Sequence, residues 1–450
     1  MAPVSVWDWT TLAHVCRRWR AIILASPQRL HLRVTCDPRT PVKTSLDIWP
    51  PIPIAVVCFP SHTVDEEGEE NIVAALEHRD RISDLDIFDR AGTSLKRWVV
   101  EMQEPLPALT NLYLGSFHEE SQVGPVLPDA FLGGYAPRLR KFILQRVAFP
   151  AFPKFVLHAT HIVLLTLCEI PDSWYTSVSP LAMATCLAAL PDLETLFISF
   201  QSPPSSPLQA TLPPRVRSVL PALTFFEFKG VSEYLTGVIA HVDTPHLDGL
   251  GIMFFLDVIF DIPQLHGFIS RTGRLRPLNP ATLQFGDDVI RMSLGSSPTR
   301  FFLEIMCEEP ARQLSSVTQV CNKHFPLLSQ VERLDICETP SMELAGRNEV
   351  ESSQWLELLR PFSAVRSLYV SETLEPLVVA ALGKLTREKT MDVLPALKNL
   401  SLDEFEPSGS ARDAMESFIS ARQLSDRPIV FQRHKRRSLP ETDSASFILR

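Results

Sequence analysis

Pro107-Ala108-Leu109-Thr110-Asn111-Leu112-Tyr113-Leu114 is a phrase that the chain repeats. Altered copies run Pro137-Arg138-Leu139-Arg140-Lys141-Phe142-Ile143-Leu144 and Pro191-Asp192-Leu193-Glu194-Thr195-Leu196-Phe197-Ile198. Others begin at Pro221, Pro245 and Pro395, and proline-free relatives end in Leu85-Asp86-Ile87, Leu334-Asp335-Ile336 and Leu368-Tyr369-Val370. All share an apolar residue followed by two more in alternation. In a strand, alternate side chains leave on opposite faces, so the last two apolar residues enter one core and the residue between them faces away.

The strand centres at 86, 113, 143, 166, 197, 227 and 251 lie 23 to 31 residues apart. That spacing matches leucine-rich repeats of about 20–29 residues, with some longer units. Between strands lie helix-like patterns such as Glu69–Glu77 and Leu181–Leu190, long enough to cross over between parallel neighbours. The expected fold is α/β: a leucine-rich-repeat-type solenoid, a curved parallel sheet with helices on its convex side. A closed (β/α)₈ barrel has similar spacing. Barrel strands, however, are buried on both sides and read as continuous apolar runs, whereas these carry Asp86, Tyr113, Glu227, Asp335 and Tyr369 between the apolar positions.

The 450 residues are 45% hydrophobic and 21% charged, enough for a sizeable core, and the net charge is −9. That balance offers no general attraction to nucleic acid or anionic membrane. Eight cysteines follow no pairing rhythm, which fits free thiols in a reducing compartment. The first twenty residues hold Asp8, Arg17, Arg18 and Arg20 and read as no secretory signal. The apolar run Leu250–Phe260 is broken by Asp257 and is shorter than the ~20 residues of a membrane helix. A cytoplasmic or nuclear protein is expected. Thirty-eight prolines against 17 glycines mark frequent element boundaries.

Three regions follow along the chain. Residues 1–30 read as a helical segment. Residues 50–425 read as the solenoid, its first strand at Ile54–Phe59, with an irregular insertion around 255–330. There the apolar runs at 283–285, 289–292 and 301–305 lie too close for helical crossovers and point to hairpins. Residues 426–450 read as a basic, disordered tail carrying Arg433-His434-Lys435-Arg436-Arg437.

The segment Trp9-Thr10-Thr11-Leu12-Ala13-His14-Val15-Cys16-Arg17-Arg18-Trp19-Arg20-Ala21-Ile22-Ile23 resembles the second half of an F-box. With the Pro-Ala-Leu strands, the Trp355 segment and the stretch Phe418–Ser425, the chain resembles the F-box/leucine-rich-repeat-like proteins of mushroom-forming fungi. The resemblance implies a substrate-recognition subunit of a cullin-based (SCF-type) ubiquitin ligase, with Trp9, Leu12, Val15 and Trp19 facing a Skp-type adaptor. An F-box ordinarily opens with L-P-x-[DE]-[LI]-L, and nothing of that kind precedes Trp9. The chain by itself is therefore expected to bind the adaptor weakly or not at all. Read from its own residues, the same helix could instead cap the solenoid, and the alternative function is a free-standing scaffold.

No phosphate loop, dinucleotide motif, H-E-x-x-H or nucleophile elbow occurs. The pairs His158/His161 and His241/His246 lack Cys or carboxylate at zinc-ligand spacing, and Asp84, Asp86 and Asp89 lack the turn of a calcium loop. No enzyme, metal or cofactor is expected. Binding should instead use the residues between inward leucines: Asp86, Tyr113, Phe197, Glu227, Asp335 and Tyr369. They form a rigid face for a partner protein, with aromatics as anchors.

Overall fold

The computed structural model describes residues 15–25, 32–35, 42–43, 46, 51–58, 66–90, 92, 94–117, 124–206, 216–255, 263–275, 279–295, 300–307, 309–321, 325, 327–339, 351–385, 392–403 and 409–434. The chain divides into two compact units, Met1–Leu247 with Arg271–Arg274, and Asp248–Ser270 with Leu275–Arg450.

In the first unit, strands β1 (Leu32–Thr35), β2 (Ile54–Cys58), β3 (Ile82–Asp89), β4 (Asn111–Ser116), β5 (Lys141–Gln145), β6 (Leu164–Ile170), β7 (Thr195–Phe200) and β9 (Phe225–Gly230) pair in chain order, every step parallel. Two short strands, β8 (Ser218–Val219) and β10 (Val242–Asp243), make a separate parallel ladder. Crossovers include α1 (Glu66–Leu76), α2 (Leu95–Glu101), α3 (Phe152–Val156), α4 (Pro180–Ala188) and α5 (Ser232–Ile239). The parallel β4–β5 step and the open end at β1, which among the described residues pairs with β2 alone, are those of a sequential α/β repeat and not of a closed barrel.

Each strand feeds one buried row. Leu85 and Ile87, Leu112 and Leu114, Phe142 and Leu144, Leu165 and Leu167, and Leu196 and Ile198 are all at most 1% exposed. The helices close over this row through aromatic rings. Phe142 stacks on Phe152 of α3 at 6.2 Å, and Phe200 meets Tyr234 of α5 edge-on at 4.9 Å. Such pairs contribute about 0.5–1.5 kcal/mol beyond area burial.

In the second unit the order is β11 (Gly249–Phe254), β14 (Arg300–Met306), β13 (Val289–Leu294), β12 (Ala281–Phe285), β15 (Arg333–Glu338), β16 (Ser367–Val370), β17 (Asn399–Asp403) and β18 (Val430–His434). Strands β12–β13–β14 are linked by antiparallel pairings, as their close spacing predicts. The stretch 255–330 is therefore not an irregular insertion. It supplies three strands of the sheet, and because β13 alone runs backwards, β14 and β12 still pair parallel with β11 and β15. Gln313 in α6 (Pro310–Val320) fixes this meander, its amide donating to the carbonyls of Gly286, Asp287 and Cys307 at 3.2, 3.1 and 2.7 Å.

Helices α7 (Ser352–Leu359), α8 (Glu375–Gly383) and α9 (Gly409–Leu424) close the buried side of this unit. Gly383 stands where a Cβ would lie 2.8 Å from the Ala414 Cβ and carbonyl, so α8 and α9 approach at backbone contact. Arg422 is fully buried on α9 and donates to the carbonyls of Leu394 and Leu397, at 3.1 and 3.0 Å, in the turn that enters β17.

Two expectations are corrected. The first described strand is Leu32–Thr35, upstream of Ile54. The tail does not begin as a disordered segment at 426, because Val430–His434 adds a parallel strand to β17. Residues 435–450 lie outside the described residues.

Candidate partner-binding face

The parallel register brings the residues between the inward leucines into line. In the first unit, one row runs Val57, Asp86, Tyr113, Ile143, Thr166, Phe197, Glu227, each the direct partner of the next. In the second, a row runs Thr282, Asp335, Tyr369, Ser401, Gln432. All six residues expected on the binding face thus lie in these two rows, four in one unit and two in the other.

Their accessibility differs along each row. Asp86 is exposed and Tyr113 half-buried, but Phe197, Glu227, Asp335 and Tyr369 are between 4% and 9% exposed. A side chain in mid-sheet has flanking neighbours about 4.8 Å away on both sides, and long side chains shield one another. Phe197 lies against Phe225 of the next strand, with ring centroids 5.2 Å apart. Asp335 is held by Arg333 through two bonds of 3.1 and 2.9 Å. Asp335 is thus paired within the face itself.

Around Tyr113 the first unit builds an aromatic platform. Phe88, two residues beyond Asp86 on β3, stacks on the Tyr113 ring at 6.4 Å and 15°. The Tyr113 hydroxyl donates to Gln145 Oε1 at 2.7 Å. Burial pushes that hydroxyl's pKa up, and the Asp86 charge adds to the rise. Gly115 makes this arrangement possible, because a Cβ there would strike the Phe88 ring. At the strand ends, Arg146 pairs with Glu169 at 2.6 Å, and its guanidinium sits 5.0 Å from the exposed Phe117 ring. Both Arg146 and Glu169 have left-handed backbones, with φ of 57° and 48°, a conformation that costs a non-glycine residue about 1–3 kcal/mol.

In the second unit the face is polar. Arg333, Ser367 and Asn399 form a row beside Asp335, Tyr369 and Ser401. Asn399 Nδ2 donates to Ser367 Oγ at 3.2 Å, and Tyr369 donates its hydroxyl to Asp403 Oδ1 at 2.7 Å. Arg333, Asp335, Ser367, Tyr369, Asn399, Ser401 and Gln432, with Leu368, line an open depression of about 300 Å3.

Phe88, Gly115 and Arg333 stand two residues from positions singled out in the sequence, and Asn399 and Asp403 stand two residues from Ser401, the partner of Tyr369. Extending the alternation by one step would have found them. Gln432 had no such signal, since β18 lacks the repeated phrase.

At the N-terminus, Trp9 and Leu12 lie outside the described residues. Val15 precedes the helix Arg17–Leu24, whose N-cap Cys16 accepts from the Trp19 amide at 3.5 Å. Val15, Trp19 and Ile22 are 60%, 46% and 62% exposed, and Trp19 and Ile22, three apart within the helix, share one side. Among the described residues, no group of three His, Cys, Asp or Glu is placed to hold a metal ion, and no helix is long and apolar enough to cross a membrane.

No family model matches the chain, and no curated protein matches it. Among solved structures, it is similar to the leucine-rich repeat-containing protein LegL7 from Legionella pneumophila, at 9% identity over 86% of this chain and 97% of that one. The TM-score of that pairing is 0.26, so the fold rests on the strand order and register of the chain itself.

Proposed function

We propose that the chain is a non-enzymatic, protein-binding repeat protein of leucine-rich-repeat type, acting in the cytoplasm or nucleus as a substrate-recognition subunit of a cullin-based ubiquitin ligase. The observation that carries the binding half is the row from Asp86 through Tyr113 to Glu227. It places an exposed acid and a stacked aromatic pair on a rigid sheet face, opposite the buried core. Rigid aromatic area of that kind anchors protein partners at low entropic cost.

The ligase half rests on the F-box resemblance of Trp9–Ile23 and on the exposed helix side formed by Trp19 and Ile22, which suits a Skp-type adaptor. A free-standing scaffold is the second reading, favoured by the fact that neither face draws a residue from the Arg17–Leu24 helix. Titration of the chain with a recombinant Skp-type adaptor separates the two. Saturable binding in an adaptor titration, however weak, that Trp19→Ala abolishes supports the ligase role, and no binding at any adaptor concentration supports the scaffold. For the face, the Tyr113→Ala/Phe197→Ala variant, once shown to be folded, should lose partners that proximity labelling finds on the unaltered chain. An unchanged partner set would move the site off this row.

A further inference from the structure

The depression over β15–β18 in the second unit has a composition unlike the aromatic platform of the first. Its two ionised lining residues, Arg333 and Asp335, are joined to each other by two hydrogen bonds of 3.1 and 2.9 Å. A charged ligand would find no unmatched charge among the lining residues, and would give up its own hydration on entering. The rest of the lining is Ser367, Tyr369, Asn399, Ser401 and Gln432, with Leu368. Tyr369 forms a buried floor, because its hydroxyl is directed to Asp403 at 2.7 Å. Asn399 and Ser401 are half-buried at the rim, two residues apart on β17. The Asn399 carboxamide gives one N–H to Ser367 at 3.2 Å. Among the described residues it keeps a carbonyl oxygen and a second N–H, the pair that matches an amide group's own N–H and C=O. The volume, about 300 Å3, equals roughly ten waters at ~30 Å3 each, room for a short run of chain.

We propose that this depression takes an uncharged, extended peptide segment of a partner protein, gripped through its amide groups by Asn399 and Ser401 above the Tyr369 floor. This rests on the protein-binding reading and names the chemistry of one part of it.

The test pans a phage library of linear twelve-residue peptides against the full chain and measures the enriched peptides by fluorescence anisotropy. Asn399→Leu/Ser401→Leu is the main variant. Asn399→Asp keeps the size while placing a charge at the grip, and covers the case in which the double variant fails to fold. The expected result is peptides poor in Lys, Arg, Asp and Glu, bound at least tenfold more weakly by either variant and nearly equally from 50 to 500 mM salt. Enrichment of charged peptides with steeply salt-dependent binding would overturn the proposal. So would equal binding by the folded variants, no enriched peptide at all, or capture of neutral oligosaccharides on a glycan array that the same variants abolish. If cellular partners are lost with Tyr113→Ala/Phe197→Ala but kept by Asn399→Leu/Ser401→Leu, the protein-binding reading stands and this inference falls.

Discussion

Tyr369 and Asp403 are joined across one strand step, the hydroxyl of β16 donating to Oδ1 of a carboxylate that is 2% exposed on β17. The other oxygen of Asp403 accepts from the Glu372 amide at 3.1 Å, so a buried charge is held from both sides. Tyr369→Phe removes one of those donors without removing the ring. The loss should destabilise the fold by about 1–3 kcal/mol, read as a lower urea midpoint. A midpoint unchanged from the parent would show that the bond contributes nothing.

Gly383→Ala sets two effects against each other. Alanine is the better helix former by about 1 kcal/mol, but its Cβ would stand 2.8 Å from the Ala414 carbonyl, which belongs to a backbone that cannot swing aside. Forced overpacking costs about 1–3 kcal/mol, so steric exclusion should win. Thermal melting should show a lower Tm, and a raised Tm would mean that α8 and α9 can part freely.

Leu112→Ala and Leu400→Ala each empty a site that is 1% exposed in the buried row. Each should cost about 2–5 kcal/mol in denaturant titrations. Values within about 0.5 kcal/mol of the parent, the range of ordinary surface changes, would contradict the inward assignment.

Alkaline pH should weaken the fold. Burial pushes the Cys58 thiol up to about 11, and those of Cys168, Cys186 and Cys337 up to about 12, from 9.0. Above pH 9 the unfolded chain releases these protons while the folded one keeps them, so the folded state binds more protons and stability falls as pH rises. The contribution is complete below pH 9 and is lost progressively toward 11–12. Urea midpoints taken from pH 7.5 to 10.5 should decline. At pH 8 a thiol reagent should label Cys16 first among the described cysteines, since it alone of them is exposed.

How much of this was legible in the sequence follows from what strand periodicity records. The phrase P-x-L-x-x-Φ-x-Φ, with Φ apolar, marks an inward pair and the outward residue between them, and the row Asp86–Tyr113–Phe197–Glu227 came directly from it. Periodicity does not record how outward side chains lean on one another. The stacking of Phe88 on Tyr113 above Gly115, and the grip of Arg333 on Asp335, were accordingly out of view. Short spacing foretold the antiparallel steps at β12–β14. It could not give their order in the sheet, which depends on pairings such as Gly249 with Arg300 and Ala281 with Leu334, 51 and 53 residues apart. β18 escaped because its inward positions are Phe431 and Arg433, and Arg433 meets Glu375 at 3.2 Å instead of entering an apolar row.

The reversed meander also bears on how the second unit assembles. A stack whose neighbours follow chain order can grow one strand at a time, each docking on the last as it is synthesised. Here the neighbour of Gly249–Phe254 within the unit is Arg300–Met306, and Arg333–Glu338 docks on Ala281–Phe285. Closing the hairpins presents both outer strands as ready edges. Local antiparallel pairing is quick while distant parallel pairing is slow, so β12–β14 is the natural starting point of this unit. Growth would then run from residues 281–306 back to β11 and forward to β15–β18. Truncation after residue 295 would remove not only the last strands of a series but also β14, the strand with which β11 pairs inside this unit.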